Sequence, residues 1–160
     1  MKHNFNDTDK KILDLLQNNG RMPLKHIADE VFLSPPTVSS RIDWLEKDGI
    51  ITGYSATVNP EAFDFHIKAF INLEVKPEQK PEFYPYIASV PNVIECNCVT
   101  GDYSMLMEVL FHTTSELDSF IGQLQQFGRT KTQIVFSTCV EHRGIPMQYA
   151  EEKTAEKKQA

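Results

Sequence analysis

Only three residues, Phe32-Leu33-Ser34, stand between two stretches whose apolar residues recur with the period of a helix. Upstream, Leu24, Ile27, Ala28 and Val31 fall at i, i+3, i+4 and i+7, which predicts a short helix over residues 24–31. Downstream, Val38, Ile42 and Leu45 repeat at i, i+4 and i+7 before Gly49 stops the pattern. Ser34 is placed to cap this second helix. Pro35 and Pro36 then fall in a first turn, where the amide that proline lacks has no partner anyway. Pro23 suits the start of the preceding helix for the same reason. Two short helices joined so briefly match helix-turn-helix geometry. A further helix is expected ahead of them, over residues 7–18. Asp7 would be its N-cap, and Asp9 favours the positive end of its dipole. Ile12, Leu13, Leu15 and Leu16 form its apolar stripe, and Asn19-Gly20 ends it.

Beyond Gly49 the pattern loosens. Ile50 to Val58 reads as extended, with Gly53 allowing a bend, and serves either as a wing or as an inter-domain strand. Asn59-Pro60 breaks it, and 61–66 reads as a linker turn. From Lys68 the period becomes two: Ile71, Leu73 and Val75 alternate with Phe70, Asn72 and Glu74. Residues 77–89 follow with helical spacing of Phe83, Ile87 and Val90. Pro85 would shorten or kink that helix. Strands are expected over 93–100 and 104–112, around the turn Gly101-Asp102-Tyr103. Thr113 and Glu116 have capping-box spacing, Leu117, Phe120, Ile121, Leu124 and Phe127 share one helix face, and Gly128 stops it. A last strand is expected over 132–141.

The fold expected is therefore α+β. It has an N-terminal winged helix-turn-helix of three helices, then a ferredoxin-like βαββαβ domain with an antiparallel sheet. The boundaries read as 1–58 for the helical domain, 59–67 for the linker, 68–142 for the ferredoxin-like domain and 143–160 for a charged, disordered tail. Both helices of the second domain would lie on one face of the sheet. The other face would be apolar and uncovered, which favours dimerisation through the sheet.

Charge refines the picture. The chain carries −6 overall. Residues 1–50 hold seven Lys/Arg against eight Asp/Glu, and the remaining residues hold nine against fourteen. The helical half is thus near neutral, and phosphate neutralisation drives most non-specific DNA affinity. One copy should bind DNA weakly, and a dimer or larger assembly should multiply that affinity. No apolar run approaches the roughly 20 residues of a membrane helix, and the polar N-terminus is no secretory signal. A cytoplasmic protein is expected, and the odd count of three cysteines argues against a disulfide framework. The chain has no G-x-S-x-G, P-loop or G-x-G-x-x-G pattern, so no enzyme and no cofactor is expected.

Four stretches, in order, resemble the feast/famine regulators of the Lrp/AsnC family. They are Asp7-x-Asp9-x-Lys11-Ile12-Leu13 continuing to Asn19-Gly20-Arg21, then Ile27-Ala28-x-x-Val31-x-Leu33-Ser34-x-x-Thr37-Val38 with Arg41-Ile42. Leu45-Glu46-x-x-Gly49-Ile50-Ile51-x-Gly53-Tyr54 and Val99-Thr100-Gly101-Asp102-Tyr103 complete the set. The resemblance spans nearly the whole chain. It implies a transcriptional regulator that dimerises through its C-terminal sheets, often assembles into octamers, and responds to amino acids or related metabolites bound where dimers meet near the Gly-Asp turn. Two positions depart from the family pattern. Phe32 stands where the family usually has Gly, and Ser104 where it commonly has an Asp that helps hold an amino-acid amine.

On this reading the third helix enters the major groove of double-stranded DNA. The DNA-binding candidates are Ser34, Pro36, Thr37, Ser39, Ser40, Arg41 and Trp44. Arg41 would read a base or clamp a phosphate, because its fork matches guanine or phosphate bidentately. Ser34, Ser39 and Ser40 would bond phosphates at a helix N-terminus. Trp44 either touches DNA or packs against the first helix, and packing suits an aromatic side chain better. The effector turn would comprise Thr100, Gly101, Asp102, Tyr103 and Ser104, whose exposed amides can hold a carboxylate. An ordinary hairpin turn has the same Gly-Asp signature.

Two other functions compete. One is a metal- or redox-responsive regulator using Cys96, Cys98 and Cys139, with His142 nearby. Against it, the spacing is not that of a zinc site, and free cysteines are usually buried core residues. No metal site is therefore assigned. The other is a small enzyme or metabolic regulatory subunit built on the ferredoxin-like half, which would not bind DNA even at low salt.

Overall fold

The computed structural model describes residues 5–149. The described residues divide into two compact units: 5–57 together with 141–149, and Val58–Val140.

The first unit holds α1 (Asp7–Asn18), α2 (Leu24–Val31) and α3 (Pro35–Lys47). Ile12, Leu13, Ile27, Ala28, Val38 and Leu45 meet as its core. Each fully buried aliphatic side chain there contributes about 1.5–3 kcal/mol. The cap of α1 is Asn6, one residue before the expected Asp7. The Asn6 side chain accepts from the Asp9 amide, and the Asp9 carboxylate accepts from the Asn6 amide. A carboxylate at N3 completes this reciprocal box, so the cap moves to the residue three positions ahead of Asp9. Ser34 caps α3 as expected, accepting from the Thr37 amide.

Between α2 and α3, Phe32 takes φ 56°, ψ 43°, the left-handed conformation. The Leu33 amide reaches back to the Ala28 carbonyl, closing the helix end. Phe32 thus occupies a backbone state that costs a side-chain-bearing residue about 1–2 kcal/mol. It is 90% exposed, with the Lys11 ammonium 5.6 Å from its ring centre.

Residues 50–58 form no strand; the amides of Ile50 and Ile51 fold back onto the Leu45 carbonyl instead. The described part of the expected tail is not separate from the helical unit. The Gln17 side-chain amide donates to the Ile145 carbonyl and accepts from the Ile145 amide, at 3.1 and 2.7 Å. Met147 packs against the helical core. The apolar Ile145-Pro146-Met147 run, set within a charged segment, accounts for this docking. The rest of the expected tail, 150–160, lies outside the described residues.

The second unit is the expected βαββαβ arrangement: β1 (Ile67–Leu73), α4 (Lys80–Ser89), β2 (Val93–Cys98), β3 (Met105–Phe111), α5 (Thr114–Leu124) and β4 (Thr130–Ile134). The antiparallel sheet has the order β2-β3-β1-β4. β4 ends at Ile134, not 141; one further bond, from the Val135 amide to the Lys68 carbonyl, brings the chain to the start of β1 at Ile67, beyond which β1 offers it no strand to pair with. α4 runs through Pro85, which lies exposed, as does Pro81 four residues earlier. The carbonyl left without its helical partner therefore belongs to an exposed residue. Thr113 caps α5 through the Glu116 amide, but the Glu116 carboxylate takes the His112 amide and does not close the box.

One sheet face presents Ala69, Ile71, Leu73, Met105, Met107, Val109 and Phe111 to the helices, where Phe83, Ile87, Leu117, Phe120, Leu124 and Phe127 complete the core. The opposite face is mixed, not simply apolar. Register places Lys68 across from Leu110, Phe70 across from Glu108, and Asn72 across from Leu106. Lys68 and Glu108 form an ion pair at 2.9 Å, and Asn72 bonds Gln133 on β4. Apolar and polar side chains therefore alternate across the strands. The cysteines also differ from expectation: Cys96 is half-buried, and Cys98 and Cys139 are exposed. The short, edge-placed β2 gives its side chains less cover than a central strand would.

Candidate nucleic-acid interface and effector turn

α3 sorts its residues by helical phase. Val38 and Leu45 are fully buried. Pro36, Ser40, Asp43 and Lys47 fall at i, i+4, i+7 and i+11 and are all exposed, with Thr37 exposed beside them. Ser34 is exposed at the N-terminus, its hydroxyl 2.8 Å from that of Thr37. Ser39 is half-buried on one flank. Trp44 is half-buried on the other and packs against the core, as the packing alternative expected.

Arg41 is not on the exposed stripe. It lies three residues after Val38 and four before Leu45, which turns it toward α1. Its Nη1 donates to Asp9 Oδ1 at 2.7 Å, and Asp9 is completely buried. The guanidinium expected to read DNA thus neutralises a core carboxylate. Removing it would strand a buried charge, so the geometry favours the pair. Lys47 closes the exposed stripe and was missing from the expected set. Its i+7 spacing from Ser40 was the available signal.

The turn after β2 brings Thr100, Gly101 and Asp102 to the surface, with Gly101 at φ 113°. Only glycine adopts that conformation readily. Ser104 faces inward. Its hydroxyl accepts from the Val75 amide at 2.8 Å, and its backbone amide donates to the Leu73 carbonyl. Ser104 therefore fastens the turn to the end of β1, and its hydroxyl does not stand open toward a ligand amine. Tyr103 is half-buried with the Arg129 guanidinium 5.1 Å from its ring centre, and Arg129 pairs with Glu74 at 3.3 Å. A cation and a carboxylate thus flank the turn. Neither was expected from sequence, because Glu74 and Arg129 are 55 residues apart. Gly128 positions Arg129: a Cβ there would come within 1.9 Å of the Glu74 carbonyl oxygen.

Among the described residues, no group of three His, Cys, Asp or Glu side chains converges as a metal centre of those donors requires. Cys139 and His142 are exposed and lie on no strand. No helix among the described residues is long and apolar enough to cross a membrane.

Known proteins place both halves. Residues 5–52 match the winged helix-turn-helix DNA-binding family, and residues 68–145 match the Lrp/AsnC ligand binding domain. The chain is 33% identical over 150 residues to the HTH-type transcriptional regulator FL11 of Pyrococcus furiosus, covering 92% of this chain and 99% of that protein. It is 34% identical over 132 residues to the HTH-type transcriptional regulator LrpA of Bacillus subtilis, covering 82% and 97%. In structure it is similar to a transcriptional regulator from Neisseria meningitidis solved as an L-Met complex. That match has a TM-score of 0.85 and 26% identity, over 90% of this chain and 97% of that one. These relatives are transcriptional regulators, not enzymes. With both halves matched in order, the chain belongs to the Lrp/AsnC family of DNA-binding transcriptional regulators.

Proposed function

We propose that this regulator binds a specific DNA site as a dimer or a larger assembly, up to an octamer, through the exposed stripe of α3, and that an amino acid or similar small metabolite at the Gly101 turn modulates that binding. The carrying observation is the α3 stripe itself: Pro36, Ser40, Asp43 and Lys47 with Thr37 beside them, opposite Val38 and Leu45. Small polar side chains at the start of a helix let its backbone approach phosphates, and its N-terminus favours anions. Lys47 supplies the cation that Arg41 does not.

Several features support the sensing half of the proposal. An amino acid carries one carboxylate and one ammonium. Arg129 and the exposed amides around Gly101 suit the first, and Glu74 suits the second, in place of the carboxylate replaced by Ser104. The Neisseria meningitidis relative was solved with L-Met, which supports the ligand class. The mixed outer sheet face, with half-buried Phe70, Leu106 and Leu110 among its own ion pair, suits a second copy better than solvent. A ligand shifts DNA affinity only if it favours one assembly state over another.

A gel-shift assay on the promoter of the protein's own gene, with competitor DNA and a panel of amino acids, tests the proposal. Lys47→Ala should weaken binding to all sequences and lower the salt slope by about 1. Arg129→Ala should leave DNA binding intact and remove the amino-acid response. If no sequence preference survives competitor DNA, the α3 assignment is wrong.

A further inference from the structure

The edge of the sheet carries a concentration of sulfur that regulation by an amino acid does not use. Cys96 pairs with Met107 and Cys98 with Met105 across the β2–β3 ladder. Directly opposed residues share a sheet face, and Met105 and Met107 both point into the core beneath the helices. All four sulfur-bearing side chains therefore rise from the helix-facing side of two adjacent strands. A groove of about 450 Å³ opens between this edge and α4, lined by Cys96, Cys98 and Met105 together with Tyr84, Ile87 and Ile94. Cys98 is exposed and Cys96 half-buried, so the groove gives a solute access to both thiols.

Geometry narrows what the thiols can do together. Residues two apart on a strand are separated by roughly 6.6 Å along it, and their Cβ atoms by a similar distance. A disulfide requires Cβ atoms about 3.5–4.5 Å apart, so Cys96 and Cys98 cannot close one without backbone movement. An ion held between the two sulfurs spans the larger gap, because each metal–sulfur bond adds about 2.3 Å. Donor chemistry narrows the ion. Thiolate and thioether sulfur together select soft metals of the copper(I) kind, whereas structural zinc takes four thiolate or imidazole donors.

We propose that Cys96, Cys98 and Met105 form a binding site for a soft monovalent metal ion, copper(I) or its analogue silver(I). Both thiols lose their protons to solvent on binding, and no electron is transferred. Cys96 resists that loss: burial, then the neighbouring Cys98, push its thiol upward. Neither Arg129 nor Glu74 lines this groove, so the metal site does not rest on an amino acid binding to them.

The full chain carrying Cys139→Ser, which removes the exposed third thiol, is titrated anaerobically with silver(I) against a competing chelator. Thiolate-to-metal absorbance provides a second readout. One ion per chain is expected. Cys96→Ser with Cys98→Ser should lower affinity at least about 100-fold, the upper end of what losing even an indirect partner of a metal ligand costs. Cys98→Ser alone, at an exposed position, gives the same direction should the double variant fail to fold. Met105→Leu keeps the core volume and should lower affinity about tenfold. Unchanged affinity in either cysteine variant overturns the proposal. Zinc(II) bound as tightly as silver(I), or no effect of Met105→Leu, overturns the soft three-sulfur assignment.

Discussion

The two units hold themselves together differently. The helical unit encloses a charge: Asp9 is its fully buried ionisable residue, paired with Arg41 and bonded to the Asn6 amide. The core of the sheet unit is apolar throughout, from Ala69 to Phe127, and its ion pairs lie outside it. Directional contacts thus set the helical unit, while alternation and close packing set the sheet unit. A small three-helix core buries limited apolar surface, so each polar contact matters more there.

The largest expected effect comes from breaking the buried pair. Arg41→Ala leaves the Asp9 charge without its partner, which typically costs 3–5 kcal/mol; partial exposure of Arg41 points to about 3 kcal/mol. Against a typical stability of 5–15 kcal/mol, DNA binding would fall because the domain loosens. Adding Asp9→Asn removes the stranded charge but keeps an oxygen for the Asn6 amide, and should recover about 2 kcal/mol in urea unfolding. This double variant should bind DNA nearly normally. Loss of specific binding despite recovered stability would put Arg41 back at the DNA and undo the contrast between the units.

The matching break in the sheet unit is steric. Gly128→Ala would drive a Cβ into the Glu74 carbonyl at a position of φ 150°. Neither the backbone contact nor the Glu74 amide bond to the Arg129 carbonyl can relax alone. A cost of about 3 kcal/mol is expected in denaturant unfolding, together with displacement of Arg129 and a weaker amino-acid response. A neutral Gly128→Ala would show that packing at this junction is looser than the geometry implies.

Sequence carried the two units unequally far. Alternation located β1 and helical spacing located all five helices, because burial of one face imposes those periods, while β3 was placed by the Gly101 turn ahead of it. The phase of α3 was also legible: Arg41 sits at i+3 from Val38 and i−4 from Leu45, which already turns it toward the core. Its chemistry suggested an outward role, while its position turns it toward Asp9. The length of β4 was not legible, since it depends on how far β1 extends beside it. Nor was the approach of Arg129 to Tyr103 and Glu74, which only the closed sheet creates. The docking of Ile145 on Gln17 needed contacts 128 residues apart.

A smaller effect tests the directional contacts of the helical unit from the opposite side. Phe32→Gly relieves the left-handed backbone, worth about 1–2 kcal/mol. It also frees a more flexible unfolded chain and removes the exposed Lys11 contact, at about 0.5–1 kcal/mol each. These terms nearly cancel, so a net change near zero is expected by urea unfolding, with m unchanged. Destabilisation would mean that the Phe32 ring holds the turn more strongly than its exposure suggests.

The smallest effect separates two tyrosines, one in each unit. Tyr54 donates to the Glu46 carboxylate at 2.9 Å, and Tyr86 donates to the neutral Gln123 side chain at 2.8 Å. Burial, then the hydrogen bond and charge of Glu46, push the Tyr54 phenol from 10.0 up to about 12; Tyr86 is raised by burial alone. In the unfolded chain the Tyr54 phenol loses its proton near 10, while the folded state keeps it until about 12. Stability is therefore intact below pH 10 and falls as pH rises toward 12, since the unfolded state then binds fewer protons. In Glu46→Gln the acceptor remains but its charge is gone, so the Tyr54 phenol should titrate earlier while Tyr86 stays where it was. Phenolate absorbance against pH, with Tyr54→Phe to assign the late step, measures both. A late step that survives Tyr54→Phe would assign it to another group, and one that Glu46→Gln leaves in place would show that burial alone governs Tyr54.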